Sequence, residues 1–315
     1  MATNFKHGLE SRGVPVNVDQ RNMWGTTYFV DGGSGSNGNS GTDTSQAFAS
    51  ITQAIATATA QDTIYIRQRV PNTDATDPTP YLDNVTVPYA KYGVLFIGTG
   101  ANTVNPFYVQ VKGNSTGPVF AIHAPGTVVE NLCLNNGAST TGIIRFNGDD
   151  DSANTAWGCL IANCHIRNAK TAIANAGIVG NAGSYNTIYG CTFVACFDGI
   201  NIASGSTYPV RAPRIENCLF YSGVGTSGAE AVGGRHITLS GVIYQSVITG
   251  CHFDAIGTRA TGKFVNLAGT GIMSNCHFGT TTDVAVTTTG NEITATTTQF
   301  VTGCYDDTGA MIATT

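Results

Sequence analysis

The groups in this chain that could do chemistry are few and loosely spaced. Asp149, Asp150 and Asp151 form an acidic run just after the apolar stretch Gly142–Phe146. Asp198 and Glu216 fall in successive segments, and Arg211 and Arg214 flank one turn-like site. Hydrolysis of a glycosidic bond needs two carboxyl groups about 5 to 9.5 Å apart on one face. None of these residues sits in a local motif that guarantees such a pair. The Asp run reads as a solvated loop or as a loose calcium site, since that ion takes several oxygen ligands. Asp31, in the Gly/Ser/Asn loop Asp31–Gly38, is open to the same two readings. Asp149, Asp150, Asp151 and Asp198 are therefore the candidates for a glycan or cation site. His165, His252 and His277 share one slot of a repeat described below. They could stack or hold a metal, but a plain surface row is the simpler reading. No catalytic residue, metal ligand set or cofactor is expected.

The elements that carry these residues are written in the composition. Charged residues make up 11% of the 315, where about 25% is ordinary. The missing charge is replaced by 39 Gly and by Thr, Ser, Asn and Ala, while apolar content stays at 42%. Long charged helices and coiled coils are excluded, because their wet faces need Glu, Lys and Arg. A net charge of -5 argues against a nucleic-acid partner. No run of about 18 apolar residues predicts a membrane span. The N-terminal Met-Ala-Thr-Asn-Phe-Lys has no apolar core of a secretory signal, so synthesis in a cytoplasm is expected.

One short pattern recurs: apolar, any residue, Asn or Gly, Cys, any residue, apolar. It runs through Ile161–Ile166, Ile188–Phe193, Ile215–Phe220, Ile248–Phe253 and Met273–Phe278. Val129–Leu134 is a variant with Leu132 in the Cys slot, and Val301–Cys304 is a partial copy. The slots lie 25 to 33 residues apart. The third position is Asn131, Asn163, Gly190, Asn217, Gly250, Asn275 and Gly303. Asn and Gly share one property, ready access to the left-handed backbone region. The pattern thus predicts a sharp bend between two short strands, with alternate side chains buried. A third strand per repeat fits Gly142–Phe146, Gly199–Ala203, His236–Ser240 and Lys263–Leu267. Less regular coils are marked by Thr63–Ile66, Val85–Val87, Val94–Ile97 and Val119–Ile122. Three strands per repeat describe a coil of a parallel β-helix, about nine coils in all. An antiparallel sandwich also has many short strands, but it predicts no bend residue at this interval.

Stacking places Cys164, Cys191, Cys218, Cys251 and Cys276 in one inward column, as small buried hydrophobes. Stacked Cα atoms about 4.8 Å apart are within disulfide range, so distance leaves vertical bridges open. The first end of such a column needs a cover against edge pairing. Phe48, Ile51 and Ile55 lie on one helical face, which predicts a capping helix over Thr44–Ala58 with N-caps among Thr42, Asp43, Thr44 and Ser45. The Thr-rich tail from Thr280 is expected to form a last ragged coil or to pair with another chain. Three regions follow: 1–25, a loose terminus or an extended attachment arm; 26–61, entry strand, Gly-rich loop and helix; and 62–315, the β-helix and its C-terminal cap.

Tyr28–Gly38, Ala47–Ile55 and Asp62–Ile66 together resemble the opening of pectate-lyase-like β-helix proteins. There, an aromatic-rich strand leads into a Gly/Asn/Asp loop, a capping helix and an Asp-Thr-Ile-aromatic first coil. The likeness is close over about 40 residues and only one of pattern in later coils. Asn4–Leu9 with Gly13–Val16 resembles the leader of small β-helix proteins encoded among tailed-phage head and structural genes. The resemblance implies an all-β, single-stranded, right-handed parallel β-helix in a virion, of head decoration or cement type. It implies attachment through residues 1–25 to the major capsid protein or another virion component, and homotrimers. It also admits the alternative of a tailspike or receptor-binding protein that binds or cleaves host surface polysaccharide. Lyases of this fold pair a basic residue with carboxylate-held calcium, and the candidates here form no such motif. As an enzyme the chain would be a polysaccharide lyase or glycoside hydrolase. The scarcity of charge favours the non-enzymatic structural role.

Overall fold

Short apolar runs broken by left-handed residues bury little surface alone and must stack to form a core. In a computed structural model the chain does this as a parallel β-helix. The structure describes residues 9–11, 14–16, 25–69, 80–99, 109–114, 117–136, 142–147, 155–167, 169, 171–175, 182–196, 198–204, 209–222, 235–255, 264–280, 293–295, 299–306 and 309–311. Among the described residues, three parallel sheets of ten, nine and eight strands enclose the core. The ten-strand sheet runs from Thr27–Asp31 to Gln299–Thr302 and takes the strand before each Asn/Gly bend. The nine-strand sheet, from Tyr81–Leu82 to Tyr305–Asp306, takes the strand after it. The eight-strand sheet, from Val85–Val87 to Ile293–Ala295, closes each coil. The last strands come from the Thr-rich tail, which in its described part supplies a further coil.

The register repeats without a slip. Ile161, Ile188, Ile215, Ile248 and Met273 lie one above another in the ten-strand sheet, all buried. After the bend, Phe193, Phe220, Phe253 and Phe278 form a second inward row. Their rings stack at centroid distances of 4.5, 5.0 and 4.7 Å, tilted by 3°, 13° and 19°. Such pairs add roughly 0.5 to 1.5 kcal/mol each beyond the area they bury.

All seven bend residues are left-handed, with φ between +51° and +63°: Asn131 57°, Asn163 51°, Gly190 60°, Asn217 54°, Gly250 63°, Asn275 54° and Gly303 60°. Each bend N–H from Asn131 to Asn275 donates to the carbonyl that precedes the bend one coil on. The order Asn, Gly, Asn, Gly, Asn, Gly from Asn163 onward has a steric cause. A Cβ placed on Gly190, Gly250 or Gly303 would lie 2.7, 2.3 or 2.8 Å from Oδ1 of Asn163, Asn217 or Asn275 on the coil before. Each Asn thus leans over a position that must lack a side chain.

The first end is capped differently from the sequence expectation. The span Thr44–Ala58 is a 3-10 turn, Thr44–Gln46, then an α-helix only at Ile51–Thr57. Asp43 caps the turn, and Ser50 is the helix N-cap, accepting from the Gln53 N–H. Between them Phe48 is extended and bridges Val30, which breaks the helix where the entry strand needs a partner. Ile51, Ala54 and Ile55 are buried against the first coils. Asp83 accepts from the Ile51 N–H at 3.1 Å and the Thr52 hydroxyl at 2.8 Å. At the other end the Lys91 ammonium donates to the carbonyls of Ile55, Ala56 and Ala58. An acid at the N-terminus and a base at the C-terminus both oppose the helix dipole.

Gly250→Ala should destabilise by about 2 to 4 kcal/mol in urea denaturation, from left-handed strain plus overpacking. Adding Asn217→Gly should recover about 1 kcal/mol of that loss, because the blocking oxygen is gone. Strict additivity of the two changes would contradict the steric account.

Candidate functional site

The structure disperses the candidate carboxylates. Asp149, Asp150 and Asp151 lie outside the described residues. Asp198 opens a strand of the eight-strand sheet, Asp198–Ala203, whereas Glu216 ends Arg214–Glu216 in the ten-strand sheet. The two are thus on different sheets, not on one face. Asp198 accepts from the Arg235 N–H at 3.1 Å and the Thr171 hydroxyl at 3.5 Å. Glu216 takes two hydrogen bonds from the Arg214 guanidinium, at 2.8 Å from Nε and 2.6 Å from Nη2. Arg211 instead lies over the Tyr244 ring, 5.5 Å from its centroid.

Asp31 is a structural hub. It accepts from the Gly33 N–H at 2.9 Å, the Ser34 N–H at 3.2 Å and the Ser34 hydroxyl at 2.7 Å. Arg67 pairs at 2.9 Å with Oδ2, the oxygen that also takes the Ser34 hydroxyl. Burial pulls this carboxyl upward, but the Ser34 and Gly33 hydrogen bonds and the Arg67 charge outweigh it and hold it below the usual range. Tyr81 joins the same corner, its hydroxyl accepting from the Gly32 N–H and donating to the Arg67 carbonyl.

The cysteines are buried free thiols. In the column each Sγ–H points at the carbonyl two residues earlier, across the bend: 3.3 Å at Cys164, 3.4 Å at Cys191, 3.3 Å at Cys218, 3.5 Å at Cys251 and 3.3 Å at Cys276. Cysteine is a small apolar residue with a weak donor, and both properties are used here. Burial pushes the thiols of Cys159 and Cys196 up to about 12, so neither carries the thiolate that reactivity needs.

The histidine row is on the outer face of the nine-strand sheet. Cys133, His165, Thr192, Leu219, His252 and His277 succeed one another in register. His165 is half-buried, and burial, aided by the Arg167 charge, lowers it to about 4. His252 and His277 stack, with ring centroids 4.6 Å apart. Among the described residues no three His, Cys, Asp or Glu side chains gather as a metal-binding group, and no helix is long and apolar enough to cross a membrane.

The coil has a second left-handed column. Gly93, Gly126, Gly158, Tyr185, Ala212 and Gln245 all have φ between +45° and +68°. It has no single residue signature, because its φ is imposed by hydrogen bonds between coils, such as Tyr185 N–H to the Arg211 carbonyl and Ala212 N–H to that of Tyr244. Along this ridge Trp157, Tyr185 and Tyr244 expose 40 to 54% of their surface, and Arg211 lies next to Tyr244.

No protein-family model matches this chain, and neither does any curated protein. Among solved structures, a rhamnogalacturonan lyase is similar with a TM-score of 0.43 and 11% identity, over 91% of this chain and 88% of that one. A Geobacillus virus E2 protein, ORF18, is similar with a TM-score of 0.38 and 13% identity, over 78% of this chain and 54% of that one. This chain therefore spans about half the length of the viral protein. Neither likeness assigns a substrate here.

The His165 proton affinity has a consequence for stability. Its folded value lies below the ordinary 6.5, so the unfolded chain binds more protons between those values. Stability is then fully present above about pH 6.5 and falls as pH drops toward 4. His165→Gln should flatten the urea-midpoint profile across that window; an unchanged slope would refute the assignment.

Proposed function

We propose that this chain is a non-enzymatic structural protein of a tailed-phage virion, a capsid decoration protein attached through residues 1–25. The observation that carries the reading is how the described carboxylates are used. Asp31, Asp62, Asp83 and Asp306 accept backbone N–H groups at loop and helix ends. Glu216 is paired with Arg214, and Asp198 holds the backbone of Arg235. Acids placed this way hold the coil together and are not poised for proton transfer. The leader Asn4–Leu9 with Gly13–Val16 supports the virion assignment. Within 1–25 the described residues form an antiparallel pair, Leu9–Ser11 with Val14–Val16, separate from the three sheets. A homotrimer on the particle belongs to the same proposal.

Deleting residues 1–25 should abolish association with particles and leave the β-sheet circular dichroism spectrum intact. Immunogold labelling should mark the head. Retained binding by the truncated chain would overturn the arm, and tail labelling would overturn the decoration role.

The exposed ridge favours a second reading, a receptor-binding or tailspike-type protein that takes host surface polysaccharide. Aromatic faces beside an arginine suit sugar rings that carry acidic groups. On that reading Trp157→Ala with Tyr244→Ala weakens retention on host polysaccharide by about tenfold or more, from the loss of two aromatic contacts. Release of reducing ends or unsaturated sugars by the wild type, lowered in Asp198→Ala, would establish cleavage. No retention and no release across a glycan panel removes this reading.

A further inference from the structure

We infer that His252 and His277 form a two-imidazole site for a borderline divalent transition-metal ion, clasping two adjacent coils near the C-terminal end of the β-helix. The strands His252–Ala255 and His277–Thr280 pair in parallel, with His252 directly opposite His277. Their Nδ1 atoms are 3.2 Å apart. Two metal–nitrogen bonds of about 2.0 to 2.1 Å span roughly 2.9 Å at a right angle and roughly 3.4 Å at the tetrahedral angle. The observed separation lies between these limits, so the backbone already holds both donors at the spacing of a chelate edge.

The surroundings fit a cation. His277 is exposed and His252 partly so, which leaves the remaining coordination positions to water. The rings are tilted by 20°, and rotation about the soft Cβ–Cγ torsion brings both lone pairs toward one point. Gly279, two residues beyond His277, leaves that rotation room: a Cβ there would sit 3.5 Å from Cε1 of His277 and 3.7 Å from Nε2 of His252. Asp254 lies opposite Gly279 on the neighbouring strand. Leu219 and Tyr305 flank the pair in register below and above. Neutral imidazole suits Zn²⁺, Ni²⁺ and Cu²⁺, with Cu²⁺ the tightest by the usual order. Without metal, the 3.2 Å contact is a hydrogen bond in which one Nδ1–H donates to the other ring. Metal binding moves that proton to Nε2 of the same ring, so that both Nδ1 lone pairs face the ion. This inference holds on either reading of the protein's function.

The test is calorimetric titration of the full chain with ZnCl₂ and with NiCl₂ at pH 7.5, beside the variants His252→Ala, His277→Ala and the control His123→Ala. One ion per chain is expected in the wild type and in His123→Ala. Loss of a second-shell partner alone costs 10- to 100-fold in affinity, so either ligand substitution should cost at least about tenfold. CuCl₂ added to the wild type should show hyperfine coupling to two nitrogens by electron paramagnetic resonance. The melting temperature should rise with ZnCl₂ in the wild type and not in His277→Ala, a surface change checked for folding by circular dichroism. Absence of saturable binding, or binding equal in both ligand variants, would overturn the site.

Discussion

Everything in this molecule depends on exact coil-on-coil register at the left-handed corner between the ten- and nine-strand sheets. The corner residue turns the chain with φ near +55°, and its N–H bonds to the coil above. The cysteine that follows points its thiol back across the turn. With the corner set, the next inward side chains fall in line as isoleucine and phenylalanine columns. A slip of one residue would turn each buried set outward, so the corner sets both direction and burial.

The same constraint explains where polar chemistry went. A coil leaves loop and end groups whose backbone hydrogen bonds the sheets do not supply, and Asp31, Asp62, Asp83 and Asp306 supply them. Asp31 ties the glycine loop to the first coils, and Asp62 accepts from Thr26 and Thr59. Asp83 and Lys91 hold the two ends of the short helix. Surface chemistry is left to ladders, because any residue type that recurs at one slot becomes a stacked row. The histidine pair arises this way.

Much of the fold was legible before any coordinates. The Asn/Gly alternation marks one corner because only a few residue types enter the left-handed region cheaply. The helix was legible as an apolar face but not in extent, since Phe48 is taken by a bridge to Val30. The second corner column was not legible. Tyr185, Ala212 and Gln245 have no left-handed preference of their own, and contacts between coils impose it. Asp198 and Glu216 looked like neighbours along the chain, yet the coil puts them on different sheets.

The sequence by itself determined the period, the inward face of each strand and the residues at one corner, because backbone propensity and side-chain alternation are local properties. It also determined that charge would be scarce. Only the tertiary structure decided which outward residues meet. His252 and His277 are 25 residues apart in the chain and 3.2 Å apart in space. The alternating glycines, too, have their reason only in the asparagine of the coil before. Such contacts depend on unequal coil lengths closing to a common register, which no single segment encodes.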